Sequence, residues 1–402
     1  MQKRLVIIGA GFAGMYAALS SARLREEKKV PAKQLEIVLV SPEPRLVIRP
    51  RLYEPNPETL TAPLDDLLKA IDVDFVQGHV ETIDTQGRSI EVAGPAGKRQ
   101  TLAYDRLVLA TGSRLFRPPI PGLDEHGFAV DQLEDAIKLD CHLQGLAQRP
   151  ASAARDTIVV AGGGFTGIEV ATELPARLRK ILGDKTARII VVERNDHVAP
   201  DMGGNPRPIV EKALRDQGIE TRVGIGVSGV DANGVTLSDG ERIESETLIW
   251  AAGIRAAPLA AQIPAEHDNF GRILVDRNLR VPAVPGVFAT GDAAKAACDD
   301  AGNFALMSCQ HATRMGAFAG NNAAAELLGV RSLPYHQEAY VTCLDLGEAG
   351  AVFTRGWERT VEIVGAEAKS FKQQINTVWI YPPHAERAAA LASADPEQVT
   401  KL

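Results

Sequence analysis

Apolar residues along this chain fall into two rhythms. Short, nearly unbroken runs at residues 5–8, 35–40, 106–110, 157–161, 188–192 and 247–250 lack polar alternation, the pattern of parallel strands buried on both faces. Alanine-rich stretches follow the first and fourth runs and predict helices through Ala22 and through Leu174, where Pro175 is expected to stop or kink the second. A third helix is predicted over residues 311–328. From Tyr335 the texture changes: residues 340–342, 350–354 and 360–364 read as three short strands of a small antiparallel sheet. A helix over 366–376 should follow, ended by Ile380-Tyr381-Pro382-Pro383 before a final alanine-rich helix. Strand and helix alternate, so the fold class is α/β.

Two strand-to-helix junctions repeat one glycine spacing. Gly9-Ala10-Gly11-Phe12-Ala13-Gly14 follows the first strand, and Gly162-Gly163-Gly164-Phe165-Thr166-Gly167 follows the fourth. In each, the first glycine permits a tight turn and the second lets the backbone approach a pyrophosphate. The third permits close helix packing, while the helix start offers free N–H donors to the phosphates. A single copy reads as easily as an ordinary turn. Two copies, each with a strand before and a helix and strand after, predict two dinucleotide sites. The ribose of a dinucleotide calls for an acid at the end of the next strand. Glu193 stands there in the second copy, beside Arg194, and its carboxylate opposes a 2′-phosphate, so NADH is expected over NADPH. In the first copy the strand ends in Ser41-Pro42-Glu43, and either Ser41 or Glu43 must serve. Two dinucleotides on one chain imply electron transfer between them, because tethering aligns their reactive rings.

Ala110-Thr111-Gly112 closes one strand before Pro118, Pro119, Pro121 and Gly122, predicting a crossover out of the first nucleotide unit. Ala251-Ala252-Gly253 repeats the arrangement, and Gly286 to Asp292 brings the chain back. The expected units are 1–115 with 255–330, an inserted 116–254, and a carboxy-terminal 331–402. Asp292 reads as a helix N-cap or as a hydrogen-bond partner of a bound polyol. Gln310 lies at the start of the third helix, whose positive end stabilises negative charge. Lys369 and Lys372 read as a solvated helix face.

Composition narrows the field. At 402 residues the chain exceeds one ordinary domain, and a formal charge of −7 argues against a surface built for nucleic-acid phosphates. Cys141, Cys298, Cys309 and Cys343 are widely spaced with no CxxC, so no metal site is expected and a reducing, cytoplasmic setting fits. The amino end runs straight into the glycine motif, leaving no cleavable signal, and no apolar run is long enough to span a bilayer.

With both glycine motifs, the Ala-Thr-Gly at 110–112, the Trp-Ala-Ala-Gly at 250–253 and the Thr-Gly-Asp at 290–292, the chain resembles the flavoproteins with two dinucleotide-binding domains. Its likeness is to type II NADH:quinone oxidoreductase and covers roughly residues 3–355. That resemblance implies two Rossmann-like domains, FAD in the first and NADH in the inserted second, and hydride passing to flavin and onward to a quinone. Carried over by position, Gly9, Gly11, Phe12, Ala13, Gly14, Ser41, Glu43, Arg49, Ala110, Thr111, Gly112, Gly291 and Asp292 would hold FAD. Gly162, Gly164, Thr166, Gly167, Glu193, Arg194, Ala252 and Gly253 would hold NADH. Glu169 resembles the family glutamate between nicotinamide and flavin, and Gln310 the glutamine of its quinone-region motif; these two are the candidate catalytic residues, Gln310 also touching the cofactor.

The sequence departs from the family in places. Ser41 replaces the usual acid, Leu306-Met307 replaces a Pro-Pro, and the later paired glutamines align with Arg314 and Met315. The amphipathic membrane anchor is not evident after Tyr381, the tail through Leu402 being small and alanine-rich, so peripheral contact with the inner face of the membrane is expected to be weak. Phe304 and Met307 are candidate walls of a quinone slot. Three other readings stay open: reduction of an electron-carrier protein docked on Arg49, Arg51, Lys369 and Lys372; sulfide or disulfide chemistry through Cys141 or Cys343; and a flavin-bound redox sensor. A homodimer through the carboxy-terminal sheet is a further expectation.

Overall fold

The computed structural model describes residues 2–183 and 187–398. The last residues of the alanine-rich tail, 399–402, lie outside that range. Two five-stranded parallel sheets dominate. The first runs Val287–Ala289, Arg106–Leu109, Lys3–Ile8, Leu35–Ser41, Asp74–Gln77. The second runs Gly127–Phe128, Thr247–Trp250, Thr157–Ala161, Arg188–Glu193, Glu220–Val223. In each the glycine-ended strand is central, which explains its unbroken apolar run: Leu5, Val6 and Ile7, like Val159 and Val160, have no exposed surface. Burial of each such side chain contributes roughly 1.5–3 kcal/mol.

Helix α1 (Phe12–Glu27) and α2 (Phe165–Leu182) leave the two central strands, and α3 (Cys309–Leu328) lies against α1. The α1–α3 crossing is nearly backbone on backbone. A methyl group on Gly316 would stand 2.2 Å from the Ala13 carbonyl oxygen, and one on Gly320 2.1 Å from that of Ala17. The alanine-rich composition of both helices is the price of that approach.

Pro175 does not end its helix. α2 continues to Leu182 with Pro175 inside, although an interior proline costs about 3 kcal/mol. Buried Leu174 and Leu178, with Ile181 and Leu182 packed on the same cluster, hold the continuation in place. Beyond α3, Val341–Asp345, Ala351–Arg355 and Thr360–Val364 form the expected antiparallel sheet. Helix α4 (Gly365–Gln374) packs on it through Phe371, whose ring lies 4.8 Å from that of Phe353. A single π-turn, Ile375–Trp379, and a short helix, Arg387–Ala392, follow. Among the described residues no helix is long and apolar enough to cross a membrane.

Candidate functional site

The two glycine turns have the same shape. Gly9 and Gly162 sit at φ +105° and +113°, a region that penalises a side chain. Their N–H groups bond the neighbouring strand at Val40 and Val192, each at 2.8 Å. A methyl on Gly14 would meet the Gly9 carbonyl oxygen at 1.7 Å, and one on Gly167 the Gly162 oxygen at 1.8 Å. Gly11 and Gly164 cap α1 and α2 without a side-chain hydrogen bond, and neither helix has an acid in its first turn. Phe12, Ala13 and Thr166 therefore belong to first turns whose free N–H groups face outward, a ready anion site. Space above Gly11 is open: nothing lies within 4 Å of a methyl built there.

Around the first turn the chain gathers Ala110, Thr111, Gly112, Gly291, Asp292 and Gln310. The Ala110 carbonyl oxygen would be 2.4 Å from a methyl on Gly9, and a methyl on Gly291 would be 2.8 Å from that of Ala13. Thr111 Oγ1, Thr290 Oγ1 and Gln310 Oε1 are buried without a hydrogen-bond partner among the described residues. Three unsatisfied polar atoms beside a phosphate-sized turn are what a polyol and a heteroaromatic ring with several acceptors and donors would satisfy, so the residues fit a flavin dinucleotide. Asp292 is no helix N-cap. It lies in the short turn Gly291–Ala293, accepts from Ser113 Oγ at 2.6 Å and has Arg49 at 3.6 Å. Burial raises its carboxyl above the usual range, with Arg49 and the Ser113 hydroxyl pulling against it. Arg49 is fixed by Asp131 at 2.5 Å. Ser41 is half-buried at its strand end, while Glu43 turns to an exposed pair with Arg45.

Around the second turn Glu193 is buried and pre-set. Its Oε2 accepts the Gly163 N–H at 2.7 Å, and its Oε1 accepts the Asn195 backbone N–H at 2.8 Å and the Asn195 side-chain amide at 2.6 Å. Arg194 is exposed. Ala251, Ala252 and Gly253 stand beside Gly162, whose methyl would meet the Ala251 backbone at 3.0 Å.

Glu169, in the first turns of α2, is buried rather than solvent-facing. Lys372 Nζ donates to its Oε1 at 2.8 Å and to the Cys343 carbonyl at 3.0 Å, and the Asp345 N–H points to the same Oε1 at 3.2 Å. Burial raises the Glu169 carboxyl, with the Lys372 ammonium pulling it back. For Lys372 burial alone would lower the ammonium, but the adjacent Glu169 carboxylate more than offsets this and holds the proton on. Breaking such a pair from one side costs about 3–5 kcal/mol. The start of α3 adjoins the pair: the thiol of half-buried Cys309, pushed up to about 11 by burial, feels both Lys372 and Asp292. His311 is fully buried there, near the rings of Tyr340 and Trp357.

Several expectations need correcting. Lys369 and Lys372 are not a solvated face: Lys369 Nζ bonds both Asp345 oxygens, at 2.6 and 2.7 Å, and Lys372 is buried. Arg51 is bound by Glu54 at 2.6 and 2.9 Å, so with Arg49 all four cations of the imagined docking face are spent internally. The four thiols are free; burial pushes Cys343 to about 12 and Cys298 to about 11, far from the reactive thiolate range, while Cys141 is exposed at the surface. Arg314 and Met315 are packed inward, Arg314 Nε bonding the His336 carbonyl at 2.8 Å. Phe304 is exposed, with Lys295 Nζ 4.8 Å from its ring. The pair of Lys372 and the carboxylate of Asp345 were missed; the only local hint was two lysines three residues apart on one predicted helix.

The profile described as pyridine nucleotide-disulphide oxidoreductase matches residues 3–316. A NADH dehydrogenase-like protein of Mycobacterium tuberculosis is 47% identical over 397 residues, 98% of each chain. A demethylphylloquinone reductase of Synechocystis is 31% identical over 359 residues, 87% of this chain and 86% of its own. The solved structure of NDH2 from Plasmodium falciparum in complex with NADH superposes with a TM-score of 0.80 at 16% identity, covering 98% of both chains, and so shares the fold.

Proposed function

Because the chain belongs to the pyridine nucleotide-disulphide oxidoreductase family, an NAD(P)H-dependent flavin oxidoreductase using FAD and NADH, we propose that it passes the electron pair of NADH to a quinone. The observation that carries this reading is the buried Glu169–Lys372 pair, set beside the start of α3. A quinone, unlike a one-electron carrier protein, needs protons delivered where water is scarce, and the buried thiols of Cys298 and Cys343 are poor partners for a disulfide. A carboxyl raised by burial, next to a lysine that retains its proton, is suited to that task. The kinship with a demethylphylloquinone reductase supports the same acceptor class.

Bound FAD supplies a carrier that takes up a hydride and releases two electrons. The rest belongs to the protein. The Gly9–Gly14 and Gly162–Gly167 turns orient the two pyrophosphates through free N–H groups, and Glu193 receives the adenosine ribose of NADH. Asp292, kept in place by Ser113 and Arg49, offers its carboxyl to the ribityl chain. Gln310 Oε1 has an unfilled bond to offer near the ring, and the amino end of α3 favours negative charge there. Glu169 holds the proton destined for the acceptor oxygen.

The test separates the two half-reactions. Holoenzyme is reduced with NADH or NADPH in a stopped-flow instrument, then mixed with menaquinone or ubiquinone analogues, oxygen, disulfides or a carrier protein. Fastest reoxidation by a quinone is expected; fastest reoxidation by a disulfide or a carrier would replace the reading. Glu169→Gln should slow the quinone step by roughly a hundredfold and the hydride step far less.

A further inference from the structure

Resting on the quinone reading, we propose that Asp345, held by Lys369 at an open pocket, is the entry point for the proton consumed in each turnover, and that Tyr53 passes it to Glu169. Stoichiometry creates the need. NADH, one proton and a quinone become NAD⁺ and a quinol; the hydride carries both electrons and one hydrogen nucleus, so one further proton must come from water. Glu169 and Lys372 are each 8% exposed along their side chains, too little to collect it directly.

A pocket of about 310 Å³ opens at Lys369, lined also by Gly347, Glu348, Gly350, Ser370 and Gln373. Lys369 is 28% exposed and reaches from this pocket to both oxygens of Asp345, itself 7% exposed. The Gly347 N–H, on the pocket wall, donates to Asp345 Oδ1 at 2.8 Å. On the inner side Asp345 Oδ2 accepts from the hydroxyl of buried Tyr53 at 3.3 Å. Glu169 and Asp345 are the charges that act most strongly on that hydroxyl, which burial first and these carboxylates next keep protonated. The Asp345 N–H to Glu169 Oε1 ties the two acids into one hydrogen-bonded group. The charged and titratable groups facing it are Glu169 and Glu173 from α2, Tyr53 and Glu54 from the first unit, Cys343 and Asp345 from the strand, and Lys369 and Lys372 from α4.

The transfer balances. An acid in the pocket protonates an Asp345 oxygen. The Tyr53 hydroxyl, which in the structure donates to Asp345 Oδ2, turns away from the protonated acid, accepts its proton and gives up its own to the Glu169 carboxylate, the charge acting most strongly on it. Glu169 becomes protonated and later releases that proton to the acceptor oxygen, leaving Asp345 and Tyr53 as they began.

Asp345→Asn keeps an oxygen for the Gly347 N–H, and Tyr53→Phe keeps the ring, so both should fold. In reduced holoenzyme mixed with a menaquinone analogue, both variants should slow reoxidation by about tenfold or more. Formate or imidazole should restore Asp345→Asn, since small acids enter the pocket, and not Tyr53→Phe. A purely structural Asp345 would show no rescue and would slow both half-reactions alike, which overturns the proposal. A second readout needs no quinone: after a pH jump, the infrared carboxyl bands of Glu169, assigned by their loss in Glu169→Gln, should re-equilibrate more slowly in both variants. Slowed bands in a protein whose wild type reduces no quinone would remove the quinone reading and keep the entry route. Unchanged bands with normal quinone turnover would remove the route alone.

Discussion

The two glycine turns share a backbone and differ in everything polar around it. Their positive-φ glycines agree within a few degrees, φ +105° against +113°, and their close helix approaches within a tenth of an ångström, 1.7 against 1.8 Å. The strand after the first ends in Ser41, with Asp292, Arg49, Ser113 and Asp131 gathered beyond the other side of the turn. The second ends in Glu193, already hydrogen-bonded to its own glycine loop. Backbone shape thus supplies the common part of recognition, the pyrophosphate, and side chains supply the part that distinguishes one dinucleotide from another. On the proposed reading, the first turn would grip its ligand from the polyol end and the second from the adenosine end.

The sharpest way to break this symmetry is to block one helix approach at a time. Gly14→Ala and Gly167→Ala each force a methyl into a carbonyl oxygen and should cost about 3 kcal/mol or more. The outcomes should differ: the first yields protein that loses its 450 nm absorbance on gel filtration, the second a yellow protein that NADH no longer bleaches. Acid should separate the two sides next. Burial lowers His311, at the start of α3, to about 4, and burial with Arg149 lowers His142, bonded to Thr247 of the second sheet, to about 4. An imidazole kept neutral in the fold stabilises it above pH 6.5, and that stability is lost as pH falls from 6.5 toward 4, by about 3 kcal/mol for a fully buried ring. His311→Phe should flatten this descent in urea titrations, and His142→Phe less, since His142 is part-exposed and screened.

Smaller effects probe the ribose ends. Glu193→Gln keeps the shape and loses the charge, so the preference for NADH over NADPH should fall by about tenfold in kcat/KM, roughly 1.4 kcal/mol. Ser41→Ala removes a hydroxyl with no hydrogen-bond partner among the described residues and should change FAD affinity by less than about 1 kcal/mol. A larger loss would mean that the first turn also relies on its strand end.

Features confined to a few consecutive residues were readable in the sequence: the turns, the buried strands and Glu193 at its strand end all follow from local spacing. Pro175 does not stop α2, because its penalty is local while the packing of Leu178 that outweighs it is not. Glu169 was readable only as a position; its partner Lys372 lies 203 residues away. The lysines of α4 look solvated until the small sheet docks them against α2. Arg49 and Asp131, 82 residues apart, likewise meet only once the chain has returned on itself.

The α1–α3 seam carries one more consequence. Because Gly316 and Gly320 rest on the Ala13 and Ala17 carbonyls, neither helix can slide without driving alkyl groups into oxygen. The seam works as a ruler, fixing the distance between the first glycine turn and Gln310 at the start of α3; on the proposed reading this would set the span between the phosphate and ring ends of the flavin. A longer or shorter cofactor analogue should then be rejected by distance alone, read as no 450 nm absorbance retained on gel filtration.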